Sequence, residues 1–188
     1  MRLLKWLFGW VFVFCLLAVL VIWIAGYRSN RGYFETSVLI SAPQEAVYRA
    51  LLDPEFTKLW VSGVSEIKTL TPGAVHVGTK RLLLEKINRR DIEMLEEFTN
   101  LDPPNLIEYK TKALGSTFGQ FEEVGSYILE KEGDSTLVTL TSQITYQGTL
   151  YRFLEPLLTY SLSQKFSQDQ QTMKHLLETK YSKRKISS

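Results

Sequence analysis

Cysteine is nearly absent from this chain of 188 residues, and the single one, Cys15, sits in an apolar N-terminal run. The rest of the chain therefore has no disulfide framework and no thiolate metal site, and it suits either redox compartment. Histidine is almost as scarce. His76 and His175 lie far apart, with no HExxH-type spacing, so neither a metal centre nor a histidine-dependent nucleophile is expected. GxSxG, P-loop and GxGxxG patterns are missing too, and no cofactor is expected. Basic charge is lacking where a nucleic-acid binder would need it. Eight of the 22 Lys and Arg residues lie at the two ends, leaving residues 33–179 with 14 basic against 20 acidic, a net of −6. A mildly acidic body lacks the clustered cations that a phosphate backbone requires, so no nucleic-acid partner is expected.

Charge is missing altogether between Trp6 and Tyr27. The 21-residue run WLFGWVFVFCLLAVLVIWIAG spans about 30 Å as a helix, close to the thickness of a bilayer's hydrocarbon core. Trp6, Trp10, Trp23 and Tyr27 sit near its ends, where amphipathic rings favour the headgroup level. A cleaved leader would place Trp23 or Ile24 at the −3 position, a poor site. Residues 1–32 thus read as a transmembrane anchor with a short linker. The bilayer is the expected partner of residues 6–27, and the expected localisation is single-pass membrane. Arg2 and Lys5 with the terminal amine nearly balance Arg28 and Arg31, and the remaining bias places the domain outside the cytoplasm.

Beyond the run, residues 33–40 (YFETSVLI) read as a strand. Ser41 with Gln44 reads as a capping box, with Pro43 in the first turn of a helix over 43–52. Asp53-Pro54 restarts the chain into a second short helix ending near Trp60. Strands follow at about 64–71, 79–87, 91–99, 105–113, 120–131 and 136–147, separated by turn residues such as Thr71-Pro72-Gly73, Asp102-Pro103-Pro104-Asn105 and Gly133-Asp134. The last element is a helix over about 149–179. Its broad apolar stripe includes Leu150, Phe153, Leu158, Leu162, Phe166, Met173 and Leu177, and is diluted at Ser161, Lys165 and Asp169. Short turns between successive strands imply an antiparallel meander, and a sheet with one apolar face needs a cover. The expected fold is α+β: a curved antiparallel sheet of about six to seven strands around the long C-terminal helix, with a ligand cavity between them. Residues 33–179 form the domain and 180–188 a basic tail, for which contact with anionic headgroups is the alternative to an ordinary solvated end.

The stretch ISAPQEAVYRALLDP over Ile40–Pro54, with Trp60 just beyond, resembles the opening of the START-like (SRPBCC, helix-grip) superfamily. Within it the chain is most similar to the polyketide cyclase/dehydrase and lipid-transport group. Gly78-Thr79, Gly133-Asp134-Ser135-Thr136 and the closing segment from Phe153 to Leu158 match further. The resemblance spans about 33–179 and implies a cavity that binds lipids, sterols, polyketides or hormones, in some members with catalysis.

Glu96 is the sharpest candidate. It interrupts Ile92, Met94 and Phe98 on an inward strand face, where a carboxyl would have a raised pKa and could serve as acid, base or polar anchor. Pairing Phe98 with Ile107 would put Glu96 opposite Tyr109. The alternative is a bulge that leaves it solvated. Trp60, Met94, Glu96, Phe98, Tyr109, Tyr146, Leu158 and Leu162 are the expected ligand-binding residues, each against the plainer reading of core packing. The leading expectation is a membrane-anchored binder of a hydrophobic small molecule or lipid. The alternatives are a cyclase/dehydrase-like enzyme using Glu96 with Tyr109 or Tyr146, and a membrane-tethered interaction module with a collapsed cavity.

Overall fold

A computed structural model describes residues 2–28, 31–87, 90–115 and 121–186. The chain runs α1 (Arg2–Arg28), β1 (Arg31–Ile40), α2 (Gln44–Leu52), α3 (Pro54–Trp60), β2 (Val64–Thr69), β3 (Lys80–Ile87), β4 (Arg90–Asp102), β5 (Leu106–Leu114), β6 (Phe121–Glu132), β7 (Ser135–Tyr146) and α4 (Thr149–Ile186). The seven strands form one sheet, every neighbouring pair antiparallel, in the order β1-β7-β6-β5-β4-β3-β2. The α+β helix-grip architecture is as expected, and α4 reaches seven residues past the expected end at 179.

Alternation builds the sheet. On β7 every second residue is buried, from Thr136 to Tyr146, and β5 buries Ile107, Tyr109, Thr111 and Ala113. β4 and β5 pair Phe98 with Tyr109 and Glu96 with Thr111, not Phe98 with Ile107. The difference comes from the turn, which pairs Asp102 with Leu106, and a bulge between Phe98 and Asn100 takes back one residue of the shift. Leu101 packs towards the core opposite Ile107, and Phe98, three residues earlier, faces the same side. An odd spacing on one face is possible only because the bulge inserts one unpaired residue, Thr99. Glu96 therefore still faces inward.

The helix termini depart from the capping-box reading. Pro43 is the N-cap of α2, and no side chain caps it. Ser41 instead donates its backbone N–H to Glu178 Oε1 at 2.8 Å, and Gln44 Nε2 donates to the Leu129 carbonyl at 2.9 Å. Tertiary partners outcompete the local cap at this position. Asp53 does cap α3, accepting from the N–H groups of Glu55 and Phe56.

The N-terminal run corrects a sequence expectation. It is helical, and its described apolar side chains are exposed, while α1 also contacts α4. Among the described residues, however, no helix is long and apolar enough to cross a membrane. This overturns the expected single-pass membrane localisation, and it leaves the transmembrane anchor and the bilayer partner for residues 6–27 without support.

Candidate functional site

A cavity of about 650 Å³ lies between the inner face of the sheet and α4, lined at one end by Thr57 and Trp60 of α3. It is not collapsed. Trp60, Met94, Glu96, Phe98, Tyr109, Tyr146, Leu158 and Leu162 all line it. Neither histidine does: His76 bonds within the turn before β3, and His175 is exposed on α4. The wall is mainly apolar and aromatic, with a few polar groups set into it in two clusters.

The first cluster centres on Arg81, which is only 2% exposed. It lies on β3 directly opposite Glu96 on β4. Its Nε stands 3.6 Å from Glu96 Oε1, an ion pair too long for a hydrogen bond, so both of these buried atoms lack hydrogen-bond partners among the described residues. An Arg81 NH2 group donates to the Leu52 carbonyl at 3.0 Å, and the guanidinium sits over the Phe98 ring, 4.4 Å from its centroid. Burial pushes Glu96 above the usual carboxylate range, against the pull of Arg81. Burial likewise lowers Arg81, against the Glu96 and Asp53 carboxylates.

The second cluster centres on Glu123 of β6. Its Oε1 accepts from the Tyr109 hydroxyl at 3.2 Å and from Ser142 Oγ at 2.8 Å. Tyr109 can reach it because its cross-strand partner is Gly125, and a Cβ at that position would collide with the phenol ring. Tyr127 stacks on Tyr109 with ring centroids 5.8 Å apart. Burial raises Glu123, as does the Glu96 charge, while its two hydroxyl donors and Lys165 oppose the rise. Tyr109 is held well above the ordinary phenol value by burial and by the Glu123 charge.

At the rim, Lys165 of α4 bridges Glu85 of β3 at 3.3 Å and Asp169 at 3.1 Å. Asp169 also accepts from the backbone N–H of Ser62, just past α3. The polar breaks in the α4 stripe thus hold the helix to the sheet and to the α3 end. Trp60 Nε1 and the Tyr146 hydroxyl are further buried polar atoms on the cavity wall without a hydrogen-bond partner among the described residues.

Pattern reading missed Arg81, Glu85, Glu123 and Lys165. Glu123 carried the same signal as Glu96, an acid between Phe121 and Tyr127 on alternate positions. Arg81 and Glu85 did not, because Leu82 and Leu84 make the opposite face of β3 look like the apolar one.

A model of the family described as polyketide cyclase / dehydrase and lipid transport matches residues 31–178. No curated protein matches the chain in sequence. Solved structures share the fold. A conserved protein from Geobacillus kaustophilus has a TM-score of 0.65 and 16% identity, covering 79% of this chain and 95% of its own. A Chromobacterium violaceum protein has a TM-score of 0.58 and 18% identity, covering 78% and 97%. A Thermus thermophilus protein gives 0.58 and 18%, covering 76% and 94%. At such identities the likeness speaks for the fold alone.

Proposed function

Because the chain belongs to the polyketide cyclase/dehydrase and lipid transport family, we propose that it binds a hydrophobic small molecule or lipid in the cavity between sheet and α4. One observation carries this reading: an internal space of about 650 Å³ with an aromatic and aliphatic wall and a few polar atoms left without partners. Such a space is of the size and character that suits a drug-sized apolar ligand with one or two polar groups. Trp60, Met94, Phe98, Tyr146, Leu158 and Leu162 supply apolar surface, and Glu96 with Tyr109 supplies polarity. Burying apolar ligand surface contributes roughly 25 cal/mol per Å². The experiment is titration of the purified protein with the neutral fluorescent probe N-phenyl-1-naphthylamine, with native mass spectrometry for a copurifying ligand. One saturable site is expected, and Leu162→Trp, which puts a bulky ring into the space beneath α4, should weaken it by at least about tenfold. Undiminished probe binding in Leu162→Trp would remove the cavity from the reading.

A second reading, proton transfer to or from a carbonyl substrate, is favoured by the burial of Glu96 and Glu123, which raises both carboxyls. Hydrogen–deuterium exchange beside the carbonyl of a bound ketone, followed by NMR and abolished in Glu96→Gln, would move the assignment to that class. Unchanged exchange in Glu96→Gln would free Glu96 of the role.

A further inference from the structure

Glu123 is the cavity acid with no cation of its own. Both of its hydrogen bonds converge on one oxygen, Oε1, and among the described residues none reaches Oε2. Of the three described cations that line the cavity, Lys86 is exposed at its edge, and the other two are engaged elsewhere. Arg81 is held by Glu96, the Leu52 carbonyl and the Phe98 ring, and Lys165 by Glu85 and Asp169. A buried carboxylate with no cation is costly, and taking up a proton is the ordinary escape. A proton on Oε2 leaves Oε1 as the carbonyl-type oxygen, free to accept both hydroxyls, and makes Oε2 a donor in the cavity wall.

Resting on the ligand-binding reading above, we propose that Glu123 is a second polar anchor of the cavity, carrying its proton on Oε2 and donating it to an oxygen of an uncharged ligand such as a ketone or ester. The two hydroxyls on Oε1 fix the carboxyl's orientation, so the donor is set before a ligand arrives. An anionic lipid headgroup would meet a carboxyl that resists a second negative charge. A cationic amine would need the ionised form.

The sign of the pH dependence separates these ligands. The titratable groups around Glu123 are Glu96 from β4, Tyr109 from β5, Tyr127 on its own strand, Tyr146 from β7 and Lys165 from α4. Burial and the Glu96 charge raise its carboxyl, and the hydroxyls and Lys165 act against them. As pH rises through this elevated titration, the donor is lost and a negative charge faces the ligand oxygen. Affinity for an uncharged oxygen ligand therefore falls with pH, while affinity for an amine rises.

The test uses the full chain and two probes. One is 6-propionyl-2-dimethylaminonaphthalene, a fluorescent ketone whose emission reddens when its carbonyl accepts a hydrogen bond. The other is N-phenyl-1-naphthylamine, which has no oxygen. The ketone's affinity should fall about fivefold or more between about pH 5 and about pH 9, with the oxygen-free probe unchanged. Glu123→Gln, which can still donate through Nε2, should bind the ketone independently of pH. Glu123→Leu should lose about fivefold at the low end and shift the bound emission to the blue. Should the leucine variant fail to fold, Ser142→Ala and Tyr109→Phe decide. Each removes a bond that favours the charged form, so each should move the midpoint to higher pH, which no simple loss of structure would do. A flat ketone affinity in the wild-type protein, or one that rises with pH, overturns the proposal while the oxygen-free probe keeps the cavity reading. Failure of both probes to bind overturns both.

Discussion

Arg81 has the most exacting environment of any single residue in the domain. A guanidinium 2% exposed keeps its charge only where carboxylate, carbonyl and ring are all within reach, and Glu96, Leu52 and Phe98 provide these. Removing one partner of such a pair is far worse than removing both. Arg81→Met should cost about 3–5 kcal/mol in urea denaturation, and adding Glu96→Leu should recover most of it. A double variant no more stable than the single would mean that Arg81 acts through packing and not through the pair. Glu96 was legible in the sequence because one acid broke an apolar alternation. Arg81 was hidden by two outward leucines, since period-two patterns are blind when both faces carry apolar residues.

At the scale of elements, α4 has two halves with different work. Leu158, Leu162 and Phe166 roof the cavity and are only half buried, whereas Met173 and Leu177 are buried in the core. The second half is tied to β1 and the chain just after it. Lys174 Nζ donates to the Leu39 carbonyl at 2.7 Å, and Glu178 accepts from the Ser41 N–H. Phe166 stacks on Phe34 at the boundary, with centroids 5.4 Å apart. Met173→Ala should therefore cost about 2–5 kcal/mol in thermal or chemical unfolding, by lost burial and a cavity. A cost no greater than that of Leu158→Ala would contradict the division of labour. The strands and helices were legible because their periodicities persist over many residues. The capping box was not, because its two members found better partners across the fold, and a local motif carries no record of such competition. The polar breaks at Lys165 and Asp169 looked like dilution of a stripe. Their partners, Glu85 and Ser62, come from distant segments.

For the whole molecule, the buried acids reverse the usual response to pH. The carboxyls of Glu96 and Glu123 both lie above the ordinary range through burial. The folded state thus binds more protons than the unfolded chain between the unfolded glutamate value, about 4.3, and the raised folded values. The stability they contribute is complete below that lower bound and is lost as pH rises through the folded values, by at most about 1.4 kcal/mol per pH unit per group. Glu178 acts the other way. Burial would raise it, but Ser41 and Lys174 hold it below the ordinary value, so its contribution is lost on acidification. Urea midpoints should rise as pH is lowered from neutrality towards about 5, and Glu96→Gln with Glu123→Gln should flatten the slope. An unchanged slope in the double variant would place the pH response elsewhere.

The bulge in β4 bears on how this cavity can change over generations. Substitutions alter one wall position at a time, and most leave the rest of the lining in place. The loss of a single codon at Thr99 would act differently. It would force either Leu101 or the set Met94, Glu96 and Phe98 to turn away from the interior. In the second case Leu95 and Glu97 would take the inner positions, so Phe98 would leave Arg81 and a different acid would face it. One extra residue therefore holds the inward face of β4 in phase, and the cavity lining is more vulnerable to a deletion there than to most substitutions within it.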